Sequence, residues 1–511
     1  MRLSYLWVSG IMPNRLYIEL VMGLSVAIKI LILSLLTTEA IDLAAKPRRL
    51  LRAPIALPLR AAITTAGFGI FLMFTGSPFV AATLVVFLAA VLTVGSNIKY
   101  RTLGEPLVFS DVVALRSFVL YPRFYLGVIP NALKCGIMLS ICILAGGVYR
   151  FSSPNARMAA LGAVIAFVSG VIGYINALFL LRSNRMGHPH LTTDLHAYGL
   201  VPTLAIYWMR WKRSVSPSPI PPIIPGNVTK PPEILLVVQC ESFAEIPVGH
   251  FSFPGLQYTR EKSVAWGDLH VSGFGAYTMR TEYGVLCGRN ESELGFRSFD
   301  PFLTADTESS FALPHRLSRF FTRSVFIHPH DMRFYDRAKL MPSLGFNEII
   351  GEDHFPPPAG NTPYISDMAL GERLMELVEQ ADEPTLLYAV TMENHGPWAP
   401  GRANQTTATG AWEHHAANSD ALLRSLSERL AATGRDSMLV FFGDHRPSIP
   451  GSIVPGGAKH TPYVVMRFPD LHSGEQASHG VMPSDLTPAG LYQLIISLVA
   501  CQMPQAEASS R

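Results

Sequence analysis

The sequence is poor in charged side chains. Only 15% of its 511 residues are Asp, Glu, Lys or Arg, whereas about 25% is ordinary for soluble proteins, and 49% are hydrophobic. Such a composition places part of the chain in lipid. The net charge is only +3, and no dense block of Lys and Arg with interleaved aromatic residues occurs, so the sequence argues against nucleic-acid binding.

Cysteine is also scarce. The five cysteines form neither a disulfide framework nor a CxxC zinc pattern. Cys135 and Cys142 lie in an apolar run and are expected to pack as small hydrophobic residues, whereas a bridge between Cys240 and Cys287 stays open. The N-terminus lacks a short apolar core followed by a small-residue cleavage site, so no cleavable signal peptide is expected.

Long apolar runs lie before residue 182. Each approaches the roughly 20 residues that cross the hydrocarbon of a bilayer, and Lys29 in the first run is expected to face other helices. A further apolar segment at 197–209 is short for a crossing. The runs predict five membrane crossings, at 17–37, 60–76, 79–96, 130–149 and 158–181.

The positive charges between these crossings give a first expectation of topology. Segments 38–60 and 97–129 hold nine Lys and Arg residues, and the segments on the other side hold four. The positive-inside rule places the nine in the cytoplasm. With five crossings the C-terminal half would then also be cytoplasmic, whereas a sixth crossing at 197–209 would reverse this.

The second half has the composition of a soluble domain. It follows a segment, 211–232, whose seven prolines indicate a semi-extended linker. Apolar runs at 234–239, 385–392 and 437–444 are typical of strands buried on both faces, and helical stretches between them predict an α/β domain with a mostly parallel sheet. The predicted domains are a transmembrane domain (1–190), a juxtamembrane segment and linker (191–232), a catalytic domain (233–500) and a tail (501–511).

Polar residues that follow the predicted strands are the candidates for chemistry. Ligands of α/β sheets bind beyond the carboxyl ends of strands, where Glu241, Asp444 and His445 are found. Two carboxylates and an imidazole suit Zn²⁺ or Mn²⁺. The hydroxyl of Thr278, after a Gly-rich approach, could complete the site and become a metal-activated nucleophile. Caps of helices and turns explain single motifs, but not all of them together.

These residues resemble the lipoteichoic acid synthase and phosphoglycerol transferase branch of the sulfatase-like alkaline phosphatase superfamily. Each motif is weak alone, but their order and spacing over most of residues 80–470 carry the resemblance. The matching elements are the strand with Glu241-Ser242-Phe243, Thr278 to Glu282 with Val285-Leu286-Cys287-Gly288, His328 with Phe334-Tyr335-Asp336-Arg337, Asn394-His395-Gly396-Pro397-Trp398, Gly443-Asp444-His445, Lys99-Tyr100-Arg101 and Leu103 to Leu107.

The resemblance implies roles for individual residues. Thr278 would attack phosphorus and, with Glu241, Asp444 and His445, bind one divalent metal ion, with Mn²⁺ favoured over Mg²⁺ or Zn²⁺. The implied residues that contact substrate are His395, Arg337, His328 and Tyr335, where Tyr335 replaces the Trp often found in the family.

The same resemblance implies a substrate and a location. Phosphoglycerol would pass from a membrane phospholipid, with phosphatidylglycerol the leading donor, to a glycan or glycolipid hydroxyl. The chain would be a multi-pass protein of the bacterial plasma membrane with an extracytoplasmic catalytic domain, contrary to the charge count.

Several alternatives stay open in the sequence. Thr281 is a second candidate nucleophile, and His460 a candidate ligand of a second metal ion, whereas His354, His414 and His415 carry no motif and are expected at the surface. Phosphoethanolamine transfer is the nearest rival function, followed by hydrolysis and by a catalytically inactive scaffold. A sulfatase is disfavoured because Thr278-Met279-Arg280 lacks the Cys/Ser-x-Pro-x-Arg signature.

Overall fold

The chain divides into two compact units, Met1–Tyr100 with Glu105–Arg213, and Arg101–Gly104 with Ser214–Arg511. The predicted tail, 501–511, lies outside the described residues. The computed structural model describes residues 11–48, 52–112, 131–225, 231–246, 252–358, 362–469 and 482–500.

The first unit is helical throughout its regular structure. Phe68, Leu72, Ala81 and Val85 form a small buried core in it. Its α-helices in the described residues are α1 (Ile11–Leu43), α2 (Leu57–Thr75), α3 (Pro78–Leu103), α4 (Asn131–Phe151), α5 (Ala156–Arg182), α6 (Leu191–Tyr198) and α7 (Leu200–Lys212).

Four helical spans among the described residues are long and apolar enough to cross a membrane. They are Pro54–Thr75, Pro78–Leu103, Lys134–Phe151 and Ala156–Arg182, and they correspond to the last four of the five predicted crossings. The first predicted crossing, 17–37, lies within α1, where the side chains of residues 11–24 are outside the described set. The short segment at 197–209 corresponds largely to α7, a helix of 13 residues.

The second unit is built on one seven-stranded sheet. The order is β2-β7-β6-β1-β5-β3-β4, and only β7 runs against the others, since it pairs antiparallel with both β2 and β6. The mostly parallel sheet agrees with the predicted fold class. The strands are β1 (Ile234–Cys240), β2 (Ala265–His270), β3 (Arg323–Ile327), β4 (Glu348–Ile350), β5 (Thr385–Val390), β6 (Ser437–Gly443) and β7 (His460–Phe468).

Helices cover both faces of the sheet. Side chains of β1 alternate between two cores, with Leu235 and Val237 in one and Leu236 and Val238 in the other. Helices α9 and α15 contribute to the first core, and α13 and α14 to the second. The helices are α8 (Pro254–Glu261), α9 (Thr278–Cys287), α10 (Glu291–Leu294), α11 (Leu313–Arg316), α12 (Arg337–Ser343), α13 (Asp367–Glu379), α14 (Ala408–Thr433) and α15 (Pro488–Ala500).

The two-faced core also settles the cysteine question. Cys240 belongs to the core on one face of the sheet and Cys287 to the core on the other. Both are buried free thiols. A bridge between them is therefore excluded in this structure.

Candidate active site

Two neighbouring parallel strands bring the predicted metal ligands to one edge of the sheet. Cys240 at the end of β1 lies beside Gly443 at the end of β6, so Glu241 and Asp444 both follow at the carboxyl edge. Glycine is needed at 443, because a Cβ there would collide with the carbonyl oxygen of Phe243. The sequence Gly443-Asp444-His445 thus permits the close approach of the β1 and β6 loops.

Glu241, Asp444 and His445 form a buried group with the geometry of a metal site. Their ligand atoms lie within 4.8 Å of one another, and His445 Nε2 is 3.5 Å from Glu241 Oε1 and 3.7 Å from Asp444 Oδ2. In the part of the chain that the structure describes, no other group of three His, Cys, Asp or Glu side chains meets this condition.

The hydrogen bonds of Asp444 show that the group fits a cation. Asp444 Oδ1 accepts from the backbone N–H groups of Ser242 at 2.9 Å and His445 at 2.7 Å. Asp444 Oδ2 is buried and has no hydrogen-bond partner. Because a buried carboxylate oxygen is costly to leave unpaired, this atom is a natural ligand for a divalent ion.

Asp444 and His445 hold protons unusually tightly. Burial, reinforced by the charge on Glu241, raises the pKa of Asp444 to about 6. Burial alone would lower the pKa of His445, but the carboxylates of Asp444 and Glu241 outweigh it and hold that pKa above its usual range. A metal ion would replace these protons, since ligands must be deprotonated to bind.

Thr278 lies directly against this group. It is the first residue of α9, and its Oγ1 is 3.4 Å from His445 Nε2. Gly275 allows the turn that precedes α9, because its φ is +65° and a side chain there would collide with Ser448. The Gly-rich approach seen in the sequence therefore delivers the hydroxyl to the start of a helix beside the metal ligands.

Thr281 is placed differently from Thr278. Its Oγ1 donates a 2.7 Å hydrogen bond to the backbone carbonyl of Asp444, and the residue is buried. The hydroxyl of Thr281 thus supports the backbone of the loop that carries Asp444, whereas the hydroxyl of Thr278 lies beside the metal ligands.

Strained backbone is concentrated beside the predicted site residues. Non-glycine residues adopt left-handed conformations at Ser242 (φ 52°), Tyr277 (φ 75°), Tyr335 (φ 57°) and Asp336 (φ 54°). Ser242 follows Glu241, Tyr277 precedes Thr278, and Tyr335 and Asp336 directly precede Arg337 in the chain. Such conformations cost on the order of 1–3 kcal/mol each and persist where the surrounding structure enforces them, often at functional sites.

Arg337 is held in a buried ion pair. Its Nη2 lies 2.6 Å from Glu282 Oε2, and the two side chains are 2% and 0% exposed. Its Nη1 lies 3.4 Å from His328 Nε2, and His328 Nδ1 donates to the carbonyl of Val390 at 3.0 Å. Burial, with the charge of Arg337, holds the pKa of His328 well below its usual value. The guanidinium is therefore fixed by two neighbours.

Tyr335 lies next to this pair. Its ring makes edge contacts with Phe302 and Phe334, and the guanidinium carbon of Arg337 is 5.1 Å from the ring centre. Burial raises the pKa of Tyr335, so the phenol stays protonated. The side chain presents an aromatic surface beside the Arg337 guanidinium.

His395 is a neutral imidazole with a defined orientation. Burial lowers its pKa to about 4. Its Nδ1 lies 2.7 Å from the carbonyl oxygen of Gly396, so Nδ1 carries the proton and donates it to that bond. Nε2 is then left with a lone pair, which accepts a hydrogen bond but cannot donate one to a phosphate oxygen.

Tyr364 adjoins His395, and His330 adjoins Tyr364; sequence reasoning placed neither of them in the site. Tyr364 has its ring centre 5.6 Å from that of His395, and His330 has its ring 6.0 Å from Tyr364. Burial, together with His395, lowers the pKa of His330 to about 4. His330 could have been found from its spacing of two residues from His328, but Tyr364 lies in no motif.

The other histidines complete the comparison with the sequence. His460 Nδ1 is 2.9 Å from Asp268 Oδ2, and His460 is not part of the metal-ligand group. His354 and His414 are exposed as expected, but the surface expectation for His415 is wrong. His415 is only 1% exposed because its Nδ1 donates to the carboxylate of Glu393 at 3.1 Å within the core.

Comparison with known proteins identifies the family of this chain. The model of the family described as Sulfatase matches residues 235–494, which is just over half of the chain. The chain belongs to the sulfatase family. The matched residues of this sulfatase-family chain include Glu241, Thr278, Asp444 and His445, and the predicted sulfatase-like family is confirmed.

One relative matches most of this sulfatase-family chain. The capsular polysaccharide biosynthesis protein RkpI of Rhizobium meliloti (strain 1021) is 27% identical over 437 residues, which cover 80% of this chain and 77% of RkpI.

Solved structures similar to the chain show low identity. The lipoteichoic acid synthase LtaP of Listeria monocytogenes has a TM-score of 0.43 and 17% identity, and the match covers 53% of this chain and 73% of LtaP. The Streptococcus pyogenes phosphoglycerol transferase GacH, in complex with sn-glycerol-1-phosphate, has a TM-score of 0.40 and 15% identity. The match covers 54% of this chain and 81% of GacH. The C-terminal periplasmic domain of Escherichia coli EptC, in complex with Zn, has a TM-score of 0.40 and 13% identity. The match covers 55% of this chain and 87% of the EptC domain.

Proposed function

We propose that this chain transfers phosphoglycerol from a membrane phospholipid, phosphatidylglycerol, to a glycan or glycolipid hydroxyl through a covalent intermediate on Thr278. The observation that carries the proposal is the placement of the Thr278 hydroxyl 3.4 Å from His445 Nε2, within the buried group of Glu241, Asp444 and His445. A hydroxyl at the edge of a metal-ligand group is the arrangement expected of an activated nucleophile.

The group would hold one divalent ion. Glu241, Asp444 and His445 would bind it together with Thr278, and a set of two carboxylates and one imidazole suits Mn²⁺, with Mg²⁺ or Zn²⁺ as alternatives. When bound, the ion would lower the pKa of the hydroxyl and offset negative charge on the phosphate.

The proposed reaction has two displacements at phosphorus. In the first, a bond forms between Thr278 Oγ1 and phosphorus, the bond from phosphorus to the diacylglycerol oxygen breaks, and diacylglycerol leaves with a proton. In the second, the acceptor oxygen bonds to phosphorus, the bond to Thr278 breaks, and the threonine hydroxyl regains a proton. The sum is one phosphodiester exchanged for another, and water takes the place of the acceptor hydroxyl when no other acceptor is supplied.

The surrounding residues have distinct proposed tasks. Arg337, oriented by Glu282 and His328, would donate to phosphate oxygens, and Tyr335 would lie along the head group. For His395, which the resemblance assigns to the phosphate, the lone pair on Nε2 supports a different task. His395 would accept the proton of the attacking acceptor hydroxyl rather than hold the phosphate.

The acceptor and the location are part of the same proposal. The name of RkpI refers to capsular polysaccharide biosynthesis, and this relative matches 80% of the chain, which supports a polysaccharide or glycolipid acceptor. Such acceptors are presented outside the cytoplasm, so we place the catalytic domain, residues 233–500, on the extracytoplasmic face of a bacterial plasma membrane. Helices in the bilayer would raise the local concentration of the lipid donor.

The donor is tested with lipid vesicles. Full-length protein with Mn²⁺ is expected to release diacylglycerol from vesicles that contain phosphatidylglycerol, and to release little from matched vesicles with phosphatidylethanolamine. Asp444→Asn is the control, because it removes a ligand oxygen with little change in shape. Release of diacylglycerol from phosphatidylethanolamine vesicles alone would establish the rival head group. No release of diacylglycerol from either kind of vesicle would contradict both transfer reactions.

A further inference from the structure

The guanidinium of Arg402 makes several of the hydrogen bonds that hold the segment carrying His395. Arg402 Nη2 donates to the carbonyl of Glu393 at 2.7 Å, and its Nη1 donates to the carbonyls of His395 at 2.6 Å and Pro397 at 3.1 Å. The Arg402 guanidinium carbon also lies 5.4 Å from the ring centre of Tyr364. One side chain thus binds three alternate carbonyls of a five-residue segment.

The first residue of that segment is anchored from the other side. The carboxylate of Glu393 accepts from His415 Nδ1 at 3.1 Å, Asn418 Nδ2 at 2.6 Å and the backbone N–H of Asp367 at 2.7 Å. Helices α13 and α14 supply these donors. Glu393 follows a buried strand, as Glu241 does, but its carboxylate is fully engaged in fixing the backbone.

This anchoring helps to fix the Gly396 carbonyl, which also accepts a 3.3 Å hydrogen bond from the Tyr364 hydroxyl. Arg402 holds the carbonyls of His395 and Pro397, which flank Gly396 on both sides. The Gly396 carbonyl then stays 2.7 Å from His395 Nδ1, which keeps the proton on Nδ1 and the lone pair on Nε2. The hydrogen bond made by one ring nitrogen sets the state of the other.

We propose that Arg402 is a positioning residue that sets the orientation and tautomer of His395 by holding the carbonyls of Glu393, His395 and Pro397. Its effect on turnover rests on the proposed function, because it acts through the acceptor of a proton at Nε2. A lysine cannot replace it fully, since an ammonium lacks the planar fork that reaches several carbonyls at fixed angles.

The test joins a double-mutant cycle with hydrogen exchange, both on full-length protein in detergent. Arg402→Gln is expected to lower kcat/KM for bis(4-nitrophenyl) phosphate by on the order of 10²-fold, mostly in kcat, since a small misplacement of a catalytic group has an effect of this size. In a His395→Ala background the same change is expected to cost less than about twofold, because the two residues act as one unit. Arg402→Lys is expected to fall between wild type and Arg402→Gln.

Hydrogen exchange of the peptide spanning residues 393–398 tests, without any turnover, whether Arg402 holds the backbone of this segment. Arg402→Gln is expected to speed exchange there, whereas Arg424→Gln, which removes an exposed guanidinium from α14, should change neither exchange nor rate. Unchanged exchange in Arg402→Gln would overturn the claim that Arg402 holds this backbone, even if the chain had no phosphodiesterase activity. Equal rate losses with and without His395 would overturn the claim that Arg402 acts through it.

Discussion

Thr278→Ala is expected to lower kcat for phosphodiester turnover on the order of 10⁴- to 10⁶-fold, the range seen when a covalent nucleophile is removed. The change deletes the hydroxyl that lies 3.4 Å from His445 Nε2 and leaves the three other ligands in place. The loss should appear in kcat rather than KM, because the phosphate-binding residues are untouched. Steady-state kinetics with bis(4-nitrophenyl) phosphate and Mn²⁺ measure it.

Thr281→Val is the matched control for this prediction. It removes the hydrogen bond from Thr281 to the Asp444 carbonyl with little change in volume, so a cost of about 1 kcal/mol in stability is expected. Turnover should stay within about tenfold of wild type, which is about 1.4 kcal/mol in the barrier. Thr278→Ser should retain most activity because the hydroxyl is kept. An inactive Thr281→Val protein beside an active Thr278→Ala protein would make Thr281 the nucleophile.

Glu282→Gln is expected to lower the free energy of unfolding by roughly 3–5 kcal/mol, because it leaves the Arg337 charge buried without its partner. The two side chains are almost fully buried and lie 2.6 Å apart. Burial raises the pKa of Glu282 even though Arg337 opposes this, which shows how strongly the site disfavours an isolated charge. Denaturant unfolding in mild detergent, followed by tryptophan fluorescence, measures the loss.

Glu428→Gln provides the comparison for an exposed ion pair. Glu428 pairs with Arg424 one turn away on α14 at 2.9 Å, and both are about half exposed. Removing that pair should cost only about 0.3–0.5 kcal/mol. Equal losses in the two variants would mean that the Glu282–Arg337 pair does not stabilise the domain.

The strands that carry the site were predictable because they are buried along their whole length. Apolar runs at 234–239, 385–392 and 437–444 predict β1, β5 and β6, which span Ile234–Cys240, Thr385–Val390 and Ser437–Gly443. The proximity of Glu241 to Asp444 follows from the same pattern, because the carboxyl ends of neighbouring parallel strands lie at the same edge of the sheet. Strand β2, Ala265–His270, carries no comparable signal because its side chains are only partly buried.

The partners of the site residues were less predictable. Glu282 lies one helical turn after Thr278 on α9, so a shared face was readable from the sequence. Its pairing with Arg337, 55 positions away, depends on how α9 and α12 pack. The same holds for His415, whose bond to Glu393 crosses 22 positions and turns an expected surface residue into a buried one.

The Arg402 contacts could not be read from any local pattern. Arg402 follows His395 by only seven residues, yet its role depends on the backbone carbonyls of the segment, which sequence motifs do not describe. Tyr364 is similar, since its ring reaches His395 from a segment with no motif. Backbone carbonyl direction and ring contacts are set by tertiary structure, whereas strand-end carboxylates are set by strand position.

The central claim is a covalent phosphoglycerol intermediate on Thr278, and peptide mass spectrometry after acid quenching tests it most directly. Full-length protein is mixed with head-group-labelled phosphatidylglycerol and Mn²⁺, in parallel with Thr278→Ala. We expect labelled phosphoglycerol on the peptide that contains Thr278, and none on the variant. Label on another residue, or continued transfer by the Thr278→Ala protein, would contradict the claim.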